Sequence, residues 1–257
     1  MALIHCQFYS EVLNLSTSMT VILPQPTSTQ IGRQNKIAGD KLQTLYLLHG
    51  FSDDDTIWTR RTSIERYVAA HRLAVVMPQV QHSYYTDMKY GNKYWTFLTE
   101  ELPSIVRTFF PLSDAREDNF VAGLSMGGYG AFKWALNCPE QISAAASLSG
   151  ALDIVSRINK SDKEGVFRLV FGEKDISGTE HDLLSLIEKT HTNQLKPILY
   201  QCCGTEDFLY EDNIHFKDLC DQTHYNLTAN FGPGEHEWEY WDKSIQDVLS
   251  WLPLKNK

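Results

Sequence analysis

Beyond residue 41 the chain alternates between two hydrophobic patterns. Short, mostly apolar runs occur at Thr44–Leu48, Leu73–Pro78, Asn119–Leu124, Ala144–Leu148, Pro197–Cys203 and Asn226–Phe231. Runs of this kind suit strands covered on both faces, as in a parallel sheet with crossover helices. Between them, apolar residues recur at helical spacing over Thr56–Ala70, Trp95–Phe110, Met126–Asn137, Leu209–Gln222 and Glu239–Trp251. In the second of these helices, Phe97, Leu98, Leu102, Ile105, Val106 and Phe109 make a one-sided stripe, and Pro103 within it predicts a kink or a late first turn. The N-terminal segment has a different period. His5–Leu15 and Ser18–Leu23 alternate, which predicts an antiparallel pair at a sheet edge, and the polar stretch Pro24–Lys41 reads as an exposed loop.

The repeated βα rhythm predicts one doubly wound α/β domain over residues 1–257. One region breaks it. Between Gly150 and Lys196 there are helical patterns at Asp153–Ile158, Lys163–Val170 and His181–Thr190, but no buried strand. An insertion this long between two sheet strands predicts a lid over a site, residues 151–195; the alternative is a surface excursion without a role.

Composition narrows the classes. The chain is 42% apolar and 21% charged, ordinary for a soluble globular enzyme, and is long enough to bury a core without staples. A net charge of −9 argues against a nucleic-acid partner, which needs a basic face. No apolar run approaches the ~20 residues of a membrane span. The opening MALIHCQFYSEVLNL lacks a basic n-region, so no signal peptide is expected. Five cysteines at irregular spacing favour reduced thiols and a cytoplasmic location. The adjacent Cys202 and Cys203 read as strand residues facing opposite sides. With no CxxC and no HExxH, neither a metal nor a cofactor is expected. The oligomeric state is open, and a homo-oligomer is compatible with the sequence.

The stretch NFVAGLSMGGYGAF, Asn119–Phe132, carries the chemistry. Gly123-Leu124-Ser125-Met126-Gly127 matches G-x-S-x-G, follows an apolar run and opens a helix. That is the setting of a nucleophile elbow, in which the glycines permit a tight turn and the serine hydroxyl is left exposed. A helix N-terminus beneath it favours developing negative charge. Acyl transfer also needs oxyanion donors. The N–H of Met126 supplies one; the strand ending Leu48-His49-Gly50-Phe51 predicts the Phe51 N–H as the second, with His49 bracing the loop.

In α/β-hydrolases the order is serine, acid, histidine. Of nine histidines, His236 lies in Phe231-Gly-Pro-Gly-Glu-His, just past the last strand, where open α/β sheets place their chemistry. His215 falls mid-helix and His224 precedes the strand. The acid is expected after Pro197–Cys203, where Asp207 has Glu206 as a near rival and Asp212 as a more distant one. Trp58 and Trp95 are candidates to line an acyl pocket, and Asp53-Asp54-Asp55 reads as helix-capping carboxylates rather than a cation site.

The segments LYLLHGF, FLTEELP, GLSMGGYGAFKWAL, CGTEDFL and GEHEWEYWDKSI, between Leu45 and Ile245, resemble the esterase D group of α/β-hydrolases. The resemblance implies an α/β-hydrolase fold, mostly parallel, with helices on both faces. It implies a triad of Ser125, Asp207 and His236, with Phe51 and Met126 as oxyanion donors. The chain looks most like the bacterial tributyrin-type esterases, which implies hydrolysis of short-chain acyl esters as small-molecule substrates. An S-formylglutathione hydrolase-type thioesterase, or an acyltransferase on the same triad, is the alternative. The formylglutathione hydrolases typically carry a histidine before the nucleophile and GGHGA after it, where this chain has Leu124 and Gly127-Gly128-Tyr129-Gly130-Ala131.

Overall fold

A computed structural model describes residues 1–27, 41–160 and 165–255. Most of the predicted loop Pro24–Lys41, and Lys163 and Glu164 of the second insertion helix, lie outside the described residues. Eight strands form one sheet: β1 (Ala2–Ser10), β2 (Leu15–Leu23), β3 (Gln43–Leu48), β4 (Leu73–Pro78), β5 (Asn119–Leu124), β6 (Ala144–Leu148), β7 (Ile198–Gly204) and β8 (Leu227–Gly232). Their spatial order is β1-β2-β4-β3-β5-β6-β7-β8. The β1–β2 and β2–β4 pairs are antiparallel and all others are parallel. This is the α/β-hydrolase fold.

The strand period of two sorts side chains into two cores. Leu45, Leu47, Leu73 and Val75 face one side, against α1 (Ile57–Arg61), α2 (Ile64–Val68) and α10 (Trp238–Trp251). Tyr46, Leu48, Ala74 and Val76 face the other, against α4 (Leu102–Phe109), α5 (Met126–Asn137), α8 (Leu183–Thr190) and α9 (Tyr210–Asp221). Helices on both faces explain why the central strands read as apolar runs rather than alternations.

Two local readings are corrected, and the late first turn expected at Pro103 is found. The first strand ends at Ser10, and the chain turns through Asn14 at φ 54° before β2, so strand His5–Leu15 is too long. The helix read over Thr56–Ala70 is two helices. Thr62 is extended, its Oγ1 donates to Trp58 O at 2.5 Å and accepts from Ile64 N–H at 3.1 Å, so the hydroxyl competes with the helix ladder. Before Pro103, the helix that opens as α3 (Tyr94–Thr96) passes through a π turn, Phe97–Glu101. The wider turn lets the Leu102 N–H reach Phe97 O just ahead of a residue that has no N–H to give.

The insertion contains α6 (Ile154–Lys160), α7 (Val166–Phe171) and α8. α8 packs on α5, where Tyr129 Oη donates to His181 O at 3.0 Å. α7 docks on the segment after β4, with Lys89 N–H donating to Val170 O at 2.7 Å and Tyr90 N–H to Leu169 O at 2.9 Å.

Candidate active site

Ser125 sits between β5 and α5 at φ 53°, ψ −117°, a conformation rare for any residue with a side chain. The surroundings over-determine it: its N–H donates to Leu148 O at 2.9 Å, and its carbonyl accepts from Tyr129 N–H at 3.1 Å and Ala151 N–H at 3.2 Å. Gly127 is required by close approach rather than by φ. A Cβ there would lie 2.6 Å from Leu48 O and 2.7 Å from His49 O, both backbone atoms that cannot move aside. A Cβ at Gly123 would run into the Gly127 backbone. The turn closes only with glycine on both sides of the serine.

His236 follows β8 and reaches back over the elbow. Its Nε2 lies 3.0 Å from Ser125 Oγ, and its Nδ1 lies 2.8 Å from Asp207 Oδ2. The Asp207 side chain is fully buried, accepts from Leu209 N–H at 2.8 Å and is also hydrogen-bonded by Ser149. Burial works to raise the Asp207 carboxyl, but the bonds from His236, Leu209 and Ser149 outweigh it, so its pKa falls below the ordinary value. An ionised Asp207 is acceptor-only, so the imidazole proton resides on Nδ1 and Nε2 is free to accept from the serine hydroxyl. The Trp241 ring meets the imidazole edge-on at 4.8 Å, and the Phe208 ring lies 4.5 Å from it.

The rival carboxylates go elsewhere. Glu206 is exposed, and its Oε2 accepts from Gly234 N–H at 2.7 Å, which ties the turn after β7 to the His236 loop. Asp212 lies in α9 and pairs with Arg157 Nη1 at 3.2 Å.

His49 is buried. It accepts from Val80 N–H at its Nε2, at 3.2 Å, which leaves Nδ1 to donate to Gly50 O at 2.7 Å. Burial lowers its pKa, keeping the ring neutral and both bonds intact. Tyr85 Oη donates to His49 O at 2.8 Å, so the loop carrying Gly50 and Phe51 is held from two directions. The adjacent Asp side chains diverge. Asp54 accepts from the Thr56 N–H at 2.9 Å, ahead of α1, and Asp55 accepts from Ser18 and Thr20 hydroxyls, both at 2.8 Å. The expected helix cap is therefore not made: α1 has no side-chain cap and no carboxylate in its first turn. Among the described residues no group of three or more His, Cys, Asp and Glu is placed to hold a metal.

A cleft of about 410 Å³ opens at Ser125 and His236, bounded by Phe51, Tyr84, Arg157, Phe208, Trp238 and Trp241. Trp58 and Trp95 are not on its wall. Trp58 is buried in the core beneath, its Nε1 donating to Leu48 O at 3.1 Å, because an indole N–H out of water needs an acceptor. Trp95 lies against Lys133 of α5, whose Nζ sits 4.5 Å from its ring centroid. Sequence reasoning missed the aromatic pair Trp238 and Trp241, although HEWEYW displays both within one turn and a half of His236. It also missed Phe208, the neighbour of Asp207, and Arg157, for which no local signal exists. Tyr84 and Tyr85 were hidden for another reason: both have positive φ, at 48° and 50°, in a turn without glycine.

The Esterase family model matches residues 10–252. An acetyl esterase of Caldicellulosiruptor saccharolyticus is 29% identical over 98% of both chains. A fluorophosphonate-binding serine hydrolase of Staphylococcus aureus, its structure substrate-bound, superposes with a TM-score of 0.87 at 36% identity, covering 98% of each chain. The apoenzyme of an S-formylglutathione hydrolase, also from Staphylococcus aureus, superposes at 0.84 with 36% identity over 98% of each. With its fold, its cleft and a family match over nearly its whole length, the chain is a hydrolase that belongs to the Esterase family.

Proposed function

We propose that the chain is a serine carboxylesterase that hydrolyses short-chain acyl esters through an acyl-enzyme on Ser125. One observation carries the reading: the hydrogen-bonded series Ser125 Oγ, His236 and Asp207, at 3.0 and 2.8 Å. His236 Nε2 takes the hydroxyl proton as Oγ attacks the ester carbonyl, and buried Asp207 stabilises the imidazolium and holds the tautomer. The oxyanion is met by the N–H groups of Phe51 and Met126. The Met126 N–H heads α5, where a first-turn N–H has no intrahelical partner and the helix dipole adds to it. His236 then gives its proton to the leaving alcohol, and a water repeats the sequence to release the acid.

The resemblance to an acetyl esterase supports a short acyl group, as does a cleft walled by bulky Phe51, Trp238 and Trp241. The place of α6 and α7 supports a lid role for residues 151–195: Arg157 borders the cleft, and Phe167 lies 5.3 Å from the ring of Tyr84, itself a cleft residue. Five free cysteines support a reducing, cytoplasmic setting.

Likeness to an S-formylglutathione hydrolase at 36% identity favours a second reading, a thioesterase using the same acyl-enzyme. A panel of p-nitrophenyl esters of rising acyl length, run beside S-acyl thiols and with added alcohol acceptors, tests the assignment. Acetyl to butyryl esters are expected to turn over fastest, with water as the main acceptor. Activity rising towards long acyl chains, or confined to thioesters or to transfer, would overturn it.

A further inference from the structure

The cleft has one side whose chemistry ester hydrolysis alone does not use. Arg157 stands there on α6, and among the described lining residues it is the one lysine or arginine. Its Nη1 donates to Asp212 Oδ2 at 3.2 Å, and its guanidinium carbon lies 5.4 Å from the Phe208 ring centroid. Phe208 in turn lies 4.5 Å from the His236 ring. The guanidinium is therefore two contacts removed from the imidazole.

A cation–π contact with a ring consumes no N–H donor, so the guanidinium keeps its donors available. One donor is spent on Asp212, and among the described residues the Arg157 side chain makes no other hydrogen bond. Asp212 stands behind it, with a side chain only 11% exposed against 28% for Arg157. The ion pair and the ring together hold the planar fork in one orientation before any ligand arrives. Such a fork engages a carboxylate through two parallel N–H donors.

The side of the site matters. His236 protonates the departing group, so the leaving alcohol or thiol lies by the imidazole, where Phe208 and Arg157 are. Asp53 also lines the cleft, near Gly50 and Phe51, and its carboxylate disfavours an anion beside it. The other charges near Arg157 are engaged or peripheral. Asp153 pairs with His215 Nδ1 at 3.2 Å, and Lys160 is exposed at the end of α6. On a chain of net charge −9, a single oriented arginine in the cleft is a specific feature.

We propose that Arg157 forms a subsite for a carboxylate carried on the leaving alcohol or thiol of the substrate. The preferred ester thus has a short acyl group and an anionic leaving group. This rests on the reading of Ser125 as nucleophile, and the test separates the two.

Ser125→Ala protein is titrated with 4-acetoxybenzoate and with its neutral counterpart 4-acetoxybenzamide, by calorimetry or ligand-observed NMR. The anionic ester is expected to bind at least about tenfold tighter, the size of a charge-assisted bidentate contact. Adding Arg157→Gln removes that preference, Arg157→Lys restores part of it, and salt weakens it. Because Arg157→Gln strands Asp212, the Arg157→Gln/Asp212→Asn pair is measured as well and is expected to behave alike. Equal affinities in Ser125→Ala protein, or a preference that survives both replacements, overturn the subsite and leave the esterase reading standing. Ester hydrolysis by Ser125→Ala protein, with an Arg157-dependent preference intact, would sink the nucleophile assignment and leave the subsite standing.

Discussion

His236 and Asp207 share a 2.8 Å hydrogen bond between Nδ1 and Oδ2, and the neighbouring Glu206 is turned away from it to the Gly234 N–H. The two adjacent carboxylates thus hold the same loop by different means: one grips the imidazole, the other the backbone two residues before it.

That division separates two conservative substitutions. Asp207→Asn is expected to cut kcat by roughly three to four orders of magnitude, because an amide at that position stabilises the wrong histidine tautomer. Glu206→Gln loses a charge-assisted bond to an exposed loop and should cost far less. Steady-state kinetics on one p-nitrophenyl ester, with circular dichroism to check folding, compares them. A reversed order of effects would make Glu206 the acid.

Asp207 also has a signature in stability. Its pKa is depressed in the folded chain, by hydrogen bonds that outweigh burial, relative to an unfolded value of about 3.9. The contribution is therefore full above the unfolded value and is lost as pH falls through the folded one. Urea midpoints of the wild type and Asp207→Asn are expected to converge on acidification from pH 6 to about pH 3. A gap constant across that range would contradict the linkage.

Lys133 gives the same sign in a higher pH range. It is fully buried on α5, with Nζ donating to Tyr85 O at 2.9 Å and Thr86 Oγ1 at 2.8 Å, which fastens the turn that carries Tyr84 and Tyr85. Burial pulls its pKa down to about 7, with Glu180 and Asp87 opposing. An unfolded lysine titrates near 10.4, so above about pH 7 the unfolded chain holds more protons and stability rises with pH, by at most about 1.4 kcal/mol per unit. Buried thiols such as Cys202, pushed up to about 12, act in the other direction once unfolded cysteines ionise, so the window is narrow. Between pH 7 and about 8 the wild type is expected to gain stability and Lys133→Met to gain less. Parallel profiles would show that Lys133 keeps an ordinary pKa.

The elbow makes a steric prediction. Gly127→Ala places a methyl 2.6 Å from Leu48 O, so it is expected to cost about 1–3 kcal/mol and to abolish most turnover by displacing Ser125. Thermal melts and kinetics of that variant, with Gly232→Ala as a control at a glycine where an added Cβ meets nothing within 4 Å and φ is not positive, check the claim.

What could be read from the chain followed how local each signal was. β5 and α5 match their sequence limits because an apolar run, a glycine turn and a glycine-rich helix start lie within fourteen residues. Strand ends in an open α/β sheet gather at one edge, so topology alone could bring segments around 50, 125, 207 and 236 together. Thr62 defeated the helix reading because a hydroxyl bond to the preceding turn is invisible to a hydrophobic period. Trp58 looked like a pocket residue because a core indole and a pocket indole have the same sequence surroundings. Arg157 was illegible because its meaning arises only where α6, α9 and Phe208 meet.

The central claim is that Ser125 carries the acyl group. Rapid-quench mass spectrometry after mixing with p-nitrophenyl butyrate, followed by peptide mapping, tests it most directly. The account predicts a transient butyryl adduct confined to the peptide containing Ser125, absent in Ser125→Ala, together with loss of ester turnover in that variant. Wild-type turnover by folded Ser125→Ala, or an adduct mapped to another residue, would contradict it.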